Sequence, residues 1–185
     1  VRRIGWPVPH SYAELLAERC TTAAREAHTS ARRATLAYGR GPLPAGLSVN
    51  RRGLPYDSSY SVLDIRDASG GRIGSIAGVG IHPVALGITC TEVSGDWIST
   101  YREQATLATG APAVLLQGAL GDVNPRRDPH TDPDVGGNWE TARVLGTEVA
   151  DCVGDLLTTC SPIPASAAAL PVRILSARAG LPVPA

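Results

Sequence analysis

Two segments of this sequence collect side chains that could do chemistry. In the first, residues 80–87, His82 is followed by Pro83. A proline biases the residue before it towards extended backbone, so Pro83 would fix the direction of the His82 side chain. An imidazole held in this way is a common zinc ligand, with a hydrogen-bond partner on its other nitrogen. The alternative, and the commoner case for a lone histidine, is a turn or core side chain satisfied by hydrogen bonds.

The second segment, residues 117–125, reads Gln-Gly-Ala-Leu-Gly-Asp-Val-Asn-Pro. Its glycines directly follow an apolar run and would let the backbone turn sharply and approach a ligand closely. Gln117, Asp122 and Asn124 supply hydrogen-bond donors and acceptors in the same stretch. This pattern predicts a ligand-binding loop, and its alternative is a pair of Gly-Asp and Asn-Pro turns stabilised by Asx hydrogen bonds.

Three helices are expected to position these segments. Ser11 and Glu14 form a capping box, which predicts a helix from about residue 11 to about 34. Asp96 or Ser94 is expected to cap a second helix over 97–108, and a third is predicted over 139–158. Apolar residues recur at helical spacing on one face of the first and third helices, which indicates packing against something apolar. These residues are Leu16, Cys20, Ala23 and Ala27, then Leu145, Val149, Cys152 and Leu156.

Strand signals alternate with the helices. Leu47 and Val49 indicate a short strand after a breaker at 39–46, and the strands 60–65 and 73–82 flank a turn to form a hairpin. The run 113–116 is typical of a strand buried in a sheet, and a last strand is expected near 168–175. The fold class predicted is α/β, with a mixed β-sheet flanked by helices. In such a fold ligands bind beyond the carboxyl end of a strand, where residues 117–125 would lie.

Composition narrows the functional classes. The chain has 185 residues, about one domain, and a formal net charge of zero, which disfavours nucleic acid as a partner. No apolar run approaches the roughly 20 residues that cross a bilayer. Four cysteines lack Cys-x-x-Cys spacing, which leaves disulfides open. The chain has no methionine, so we expect it to come from a truncated reading frame. The other histidines, His10, His28 and His130, are expected at the surface.

The order of short motifs carries a resemblance to a known family. These motifs are Asn50-Arg51, His82-Pro83, Ser94-Gly95-Asp96, Gln117-Gly118 and Gly121-Asp122-Val123-Asn124-Pro125. In this order they resemble the N-terminal domain of the neutral/alkaline non-lysosomal ceramidases, from the first predicted helix to the last. The resemblance implies that residues 1–185 are an incomplete part of one ceramidase-like catalytic domain.

The family resemblance implies roles for individual residues. His82 matches one of two zinc-binding histidines, whereas the other histidine, a Glu and a Tyr would lie outside these residues. Arg51 matches an arginine facing the scissile amide, where a guanidinium could stabilise an oxyanion. Asp122 and Asn124 complete the predicted catalytic set. Residues Asn50, Gln117 and Asp96 are expected to bind substrate.

Asn124 departs from the family pattern, in which a serine assigned as nucleophile occupies this position. An amide cannot act as a serine alkoxide does, so we favour zinc-activated water as the nucleophile. The resemblance then predicts a zinc-dependent hydrolase of an N-acyl amide bond in a sphingolipid, ceramide giving sphingosine and a fatty acid, or in a related lipid. The alternatives are a non-catalytic ceramidase-like binding domain and a hydrolase of another N-acyl substrate.

The resemblance also implies a cellular setting. The partner would be a lipid amide, with peripheral membrane contact in the intact protein, and family members are secreted or membrane-associated. The segment alone is expected to be inactive and to bind zinc poorly.

Overall fold

The structure, a computed structural model, describes residues 10–87, 90–126 and 138–164, and only the backbone of His10. The chain divides into two compact units, Val1–Ala34 and Thr35–Ala185. The strand predicted near residues 168–175, the loop that holds His130 and the segment before His10 lie outside the described residues.

In the described part of the first unit, from residue 10 onward, there is one helix, α1 (His10–Thr29). It ends five residues before the predicted boundary at residue 34. The hydroxyl groups of Thr29 and Ser30 donate to the carbonyl oxygens of Arg25 and Glu26 in the last turn, at 3.0 and 2.7 Å. Polar side chains of this kind compete for backbone groups and favour helix ends. The expected packing of the apolar stripe of α1 stays a prediction, whereas His28 is exposed as expected.

The second unit is built on a five-stranded sheet. Its strands are β1 (Ala34–Pro42), β3 (Ser59–Asp67), β4 (Arg72–Val79), β5 (Ala113–Gln117) and β7 (Ser161–Pro162). Their order across the sheet is β5-β4-β3-β1-β7. Strands β3 and β4 pair antiparallel, and β4 and β5 pair parallel. The predicted mixed sheet and the α/β class are therefore confirmed.

The β3–β4 hairpin forms where the sequence predicts it. Its turn is closed by Asp67, whose Oδ1 accepts hydrogen bonds from the backbone N–H groups of Ser69 and Gly71 at 2.9 and 3.0 Å. Gly70 has a φ of 87°, which few other residues adopt. The sequence predicts that this strand ends at His82. In the structure β4 ends at Val79, so His82 lies three residues beyond the strand.

A buried carboxylate ties the two strands of this hairpin together. Asp64 is only 2% exposed, and its two oxygens accept from Nε of Arg72 at 2.7 Å and Nε of Arg66 at 2.8 Å. Burial by itself raises the pKa of Asp64, but the hydrogen bonds from Arg72 and Arg66 outweigh it and hold the pKa below its ordinary value. Asp64 therefore stays ionised and paired at neutral pH.

Strand β1 was not predicted. The breaker expected at residues 39–46 contains the second half of this strand, which stays extended although it contains Gly and Pro because β1 lies between β3 and β7 in the sheet. Gly39 lies in this strand for a packing reason. A Cβ atom at residue 39 would lie 2.9 Å from the side chain of Leu156 and 3.0 Å from Sγ of Cys160. The absence of a side chain lets the helix that carries Leu156 approach the strand.

Strand β5 is at the edge of the sheet, so the prediction of a fully buried strand is wrong. Ala113 is buried, but Val114 and Leu116 are 47% and 58% exposed. A short apolar run does not distinguish a central strand from an edge strand, because both can have the same composition. In the part of the chain that the structure describes, one face of β5 is in contact with solvent.

Two helices cover the sheet, α2 (Trp97–Thr109) and α3 (Trp139–Thr159), both within two residues of their predicted bounds. They pack closely at Gly146, where a Cβ atom would lie 2.5 Å from the carbonyl oxygen of Trp97. Side chains of both helices and of the sheet form the core, including Val62, Val79, Ile81, Trp97, Tyr101, Val149 and Val153. Within the described residues, no helix has the length and apolar character to cross a membrane.

Candidate functional site

The two segments with candidate chemistry meet through a small second sheet. Strand β2 (Ser48–Asn50) pairs antiparallel with β6 (Val123–Pro125), with Val49 opposite Asn124 and Asn50 opposite Val123. The short strand at 48–50 was predicted, but β6 replaces the turn expected at Asn-Pro. This pairing brings Asn50 and Arg51 beside Asp122, although more than 70 residues separate them in sequence.

Asn50 is buried, and its side chain links β2 to Asp122 through hydrogen bonds. Its side-chain Nδ2 donates to Oδ2 of Asp122 at 3.0 Å, and its Oδ1 accepts from the backbone N–H of Arg52 at 2.8 Å. The residue is 5% exposed. The backbone N–H of Arg51 also donates to the carbonyl oxygen of Asp122, at 2.9 Å. Both ends of the Asn50 amide are therefore used inside the protein, where they hold the Asp122 carboxylate in place.

His82 is fixed to the same small sheet through its backbone. Its N–H donates to the carbonyl oxygen of Val123 at 2.8 Å. Val123 directly precedes Asn124 in β6, so the backbone of His82 lies beside this part of the strand. Its carbonyl oxygen accepts from Val84 N–H at 2.9 Å and from Nε1 of Trp97 at 3.3 Å. The side-chain Nδ1 is buried and has no hydrogen-bond partner in the described part of the chain.

Asp96 joins the turn after His82 to helix α2. Its carboxylate accepts from the backbone N–H groups of Ala85, Leu86 and Trp97 at 3.0, 2.8 and 2.7 Å. The predicted helix cap at Asp96 is confirmed, and Oγ of Ser94 accepts from the Asp96 N–H at 3.0 Å. Asp96 is 8% exposed and has a φ of 55°, an uncommon value for a residue other than glycine. Its oxygens are occupied by backbone groups, which is the bonding of a positioning residue.

The remaining predicted site residues lie on more open surfaces. Arg51 is exposed and follows β2, and Gln117 is exposed at the end of β5. Asn124 is half-buried and lies opposite Val49. Since neighbouring residues of a strand point to opposite faces, the Asn124 side chain lies on the other face of the small sheet from Asn50. The structure thus brings their backbones together but separates these two side chains.

A cavity of about 440 Å³ opens next to this cluster. Of the predicted site residues, only Asp122 lines this cavity. Two other lining residues are near predicted ones in the sequence: Gly80 lies two residues before His82, and Val123 directly precedes Asn124. Its other lining residues are Tyr38, Arg40, Tyr56, Asp57, Ser59, Tyr60, Ser61, Gly78, Val79, Gly118 and Ala119. The sequence did not mark Tyr60 and Ser61, because on a strand these residue types are read as ordinary sheet positions. It did not mark Tyr38, because β1 itself was not predicted.

Tyr60 shows how the wall of this cavity is held. Its hydroxyl group donates to the carbonyl oxygen of Cys152 on α3 at 2.8 Å. Burial, with smaller contributions from Cys152, Asp155 and Cys160, raises the pKa of Tyr60. The phenol therefore stays protonated at neutral pH and keeps this hydrogen bond to the helix.

Zinc in a catalytic site needs three protein ligands. Among residues 10–87, 90–126 and 138–164, no group of three or more His, Cys, Asp or Glu side chains is arranged to hold a metal ion. The buried and unpartnered Nδ1 of His82 leaves room for one ligand or one hydrogen-bond partner. These residues by themselves do not fit a zinc site. The four cysteines, Cys20, Cys90, Cys152 and Cys160, are free thiols.

Comparison with known proteins identifies the fold. No protein-family model and no curated protein matches the sequence. Among solved structures, the chain is similar to a neutral ceramidase from Pseudomonas aeruginosa, with a TM-score of 0.64 and 18% identity over 74% of this chain and 24% of that one. It is also similar to a ceramidase complexed with C2, with a TM-score of 0.62 and 19% identity over 72% and 24% of the two chains.

These matches confirm the resemblance that the motifs predict, at the level of the fold. The chain spans about a quarter of the length of these ceramidase structures, so it corresponds to a part of such a fold.

Proposed function

We propose that this chain is part of a zinc-dependent hydrolase that cleaves the N-acyl amide bond of a sphingolipid, such as ceramide, or of a related lipid. The observation that carries the proposal is the β2–β6 pairing, which brings Asn50, Arg51 and Asp122 next to the backbone of His82 and Asn124. This cluster lies on a fold shared with neutral ceramidases.

Arg51 is the residue best suited to stabilise negative charge on the substrate. Its side chain is exposed, and the hydrogen bond from its backbone to Asp122 fixes the position from which it extends. A guanidinium placed at the carbonyl oxygen of the scissile amide would stabilise the charge that develops in the transition state. Asp122, held by Asn50, would orient the substrate or a proton donor beside it.

His82 would contribute one ligand to a zinc site that is completed by residues outside this chain. When bound, zinc supplies Lewis acidity and a water molecule of lowered pKa. The hydrogen bonds at the His82 backbone hold this residue next to β6. In this proposal Asn124 orients water or substrate through its side-chain amide.

The proposal is tested by comparing the intact protein with residues 1–185 alone. We expect the intact protein to hydrolyse an N-acyl sphingoid or related lipid amide and to lose this activity with a chelator. We expect residues 1–185 to be inactive and to lack stoichiometric zinc by metal analysis. An intact protein without N-acyl hydrolysis, or with chelator-insensitive activity, would contradict the proposal. Stoichiometric zinc in the 185 residues would contradict the assignment of ligands outside the chain.

Asn124 is tested separately in the intact protein. We expect Asn124→Ala to lower kcat/KM by about fivefold, since losing one oriented hydrogen bond costs about 1 kcal/mol. Its side chain makes no hydrogen bond within the described residues, so the unfolding free energy should change by less than about 0.5 kcal/mol. Asn124→Ser should recover part of the rate, because a hydroxyl group can also orient water. Equal rates for asparagine, serine and alanine would remove Asn124 from the mechanism.

A further inference from the structure

We propose that Tyr56 is a positioning residue for Arg51, because its hydroxyl group closes the loop that carries this arginine. The loop comprises residues 51–55 and joins β2 to Tyr56. The inference rests on the proposed amide hydrolysis and adds to it a residue that no motif of the sequence marks. It is carried by the hydrogen bonds at the two ends of the loop.

The Tyr56 hydroxyl group makes two hydrogen bonds to one residue. It donates to the carbonyl oxygen of Ser48 at 2.8 Å, and its oxygen lies 3.0 Å from Oγ of Ser48. A phenol has a single proton, which here points to the carbonyl oxygen, so the Ser48 hydroxyl group is the donor in the second bond. The two bonds join residues 48 and 56 and so close the loop between them.

Ser48 needs this donor because its backbone faces away from β6. The N–H of Arg51 donates to the carbonyl oxygen of Asp122 at 2.9 Å, so these two residues form a hydrogen-bonded pair of the small sheet. Such pairs alternate along antiparallel strands, which directs the carbonyl oxygen of Ser48 to the other edge of β2. Among the described residues, no second strand pairs with β2 at that edge. Ser48 is 8% exposed, and the Tyr56 hydroxyl group satisfies its carbonyl oxygen.

The position of Arg51 depends on this loop. Its backbone is held beside Asp122, and the next turn is closed by Asn50, whose carbonyl oxygen accepts from the Gly53 N–H at 3.0 Å. Gly53 has a φ of 69°, which suits a glycine at this turn. In the described part of the chain, no hydrogen bond or ion pair fixes the side chain of Arg51. Its guanidinium therefore extends from a point that only the backbone of the loop sets.

Tyr56 acts through the loop and not on the substrate. It also lines the cavity of about 440 Å³, but its only proton is used in the bond to Ser48. Donating that proton to a reacting group would leave a carbonyl oxygen without a donor in a nearly buried position, which is unfavourable. Loss of the Tyr56 hydroxyl group should therefore be felt at Arg51.

Trypsin tests the loop in the 185-residue chain without an assay of activity. The protease cleaves after arginine, and Arg51 and Arg52 are both exposed in the loop. Tyr56→Phe keeps the ring but removes both hydrogen bonds, so we expect cleavage after these two arginines to be about tenfold faster. Ser48→Ala keeps the carbonyl oxygen to which Tyr56 donates, so we expect a smaller increase of about threefold.

A control variant and a control cleavage site make this result specific. Tyr12→Phe removes an exposed phenol hydroxyl group from α1 and should leave cleavage in the loop unchanged. Cleavage after Arg143, which lies on α3, should be equally slow in all variants. An equal acceleration at Arg143 would mean that the whole fold has loosened and would overturn the local role of Tyr56. Loop cleavage no faster in Tyr56→Phe than in Tyr12→Phe would do so too.

In the intact protein, activity should depend on Tyr56 only through Arg51. We expect Tyr56→Phe to lower kcat about fivefold and to change KM by less than about twofold, because Arg51 would act on charge that develops in the transition state. In an Arg51→Ala background the same substitution should have no further effect, since the arginine that it positions is gone. Additive losses would contradict a role that acts through Arg51.

The two proposals fail separately. An intact protein without N-acyl hydrolysis would remove the proposed function, and the trypsin experiment would still decide whether Tyr56 holds the loop. An active intact protein whose loop opens no faster in Tyr56→Phe would leave the hydrolase proposal standing and remove this one. Faster cleavage in the loop, together with a loss of kcat that Arg51→Ala abolishes, would support both.

Discussion

Replacing Asp96 by alanine is expected to lower the free energy of unfolding by about 3 kcal/mol. The substitution removes the acceptor for the backbone N–H groups of Ala85, Leu86 and Trp97 in a nearly buried position. A buried donor left without a partner costs about 1–3 kcal/mol, and water that enters will recover part of the total. Urea denaturation measures the loss, and faster hydrogen exchange at Ala85 and Leu86 would locate it.

Two further variants separate the causes of this loss. Asp96→Asn keeps one acceptor oxygen and tolerates positive φ, but its NH2 group faces a backbone N–H, so an intermediate loss is expected. Asp151→Ala removes an exposed carboxylate from α3 and should change stability by less than about 0.5 kcal/mol. A loss for Asp96→Ala no larger than that for Asp151→Ala would contradict the role assigned to this carboxylate.

The same substitution is expected to reduce activity in the intact protein. The turn that Asp96 holds begins at His82, and the adjacent Trp97 donates to the His82 carbonyl oxygen. Releasing the turn removes two of the constraints on His82 but leaves its bond to Val123. Because Asp96 acts through the turn, it is a positioning residue, and kcat should fall more than KM rises.

The second large effect is expected at Gly146. A Cβ atom at this position would lie 2.5 Å from the carbonyl oxygen of Trp97 and 2.9 Å from the backbone N of Tyr101. Backbone atoms cannot move aside as a flexible side chain can, so helices α2 and α3 must separate. We expect Gly146→Ala to destabilise by about 2–3 kcal/mol despite a gain of about 1 kcal/mol in helix propensity.

Gly154, two turns further along α3, is the matched control. A Cβ atom there would meet nothing within 4 Å. Gly154→Ala should therefore show the propensity gain alone and stabilise by about 0.5–1 kcal/mol. Thermal or urea unfolding of both variants measures the difference. Similar shifts of the same sign for the two alanines would show that the helices do not approach as closely as the structure indicates.

Local signals in the sequence predict the longer elements well. Helix α2 follows from its cap at Asp96, α3 follows from the apolar periodicity of one face, and the β3–β4 hairpin follows from its turn. The strands β1, β6 and β7 were missed. Each depends on a partner that is distant in sequence, such as β2 for β6, and short strands with Gly or Pro carry little pattern of their own.

The candidate site was likewise predictable only in part from the sequence. The sequence alone determined the residue types, since His82, Asp122, Asn124 and Asn50-Arg51 were identified from motifs and their order. Only the tertiary structure decided their environments. The Asn50 side chain donates to Asp122, and the Asn124 side chain lies on the opposite face of the β2–β6 sheet. The Asp96 carboxylate accepts hydrogen bonds from three backbone N–H groups. The tertiary structure also adds Tyr38 and Ser61, which no motif marks, to the wall of the cavity.

The physical reason is the range over which each effect acts. Caps, turns and apolar periodicity involve residues within a few positions of one another, so a single stretch of sequence reveals them. The face that a side chain occupies, its burial and its hydrogen-bond partner are set by strands and helices that meet only after folding. The sequence therefore determined which groups could act, and the pairing of β2 with β6 decided which of them meet.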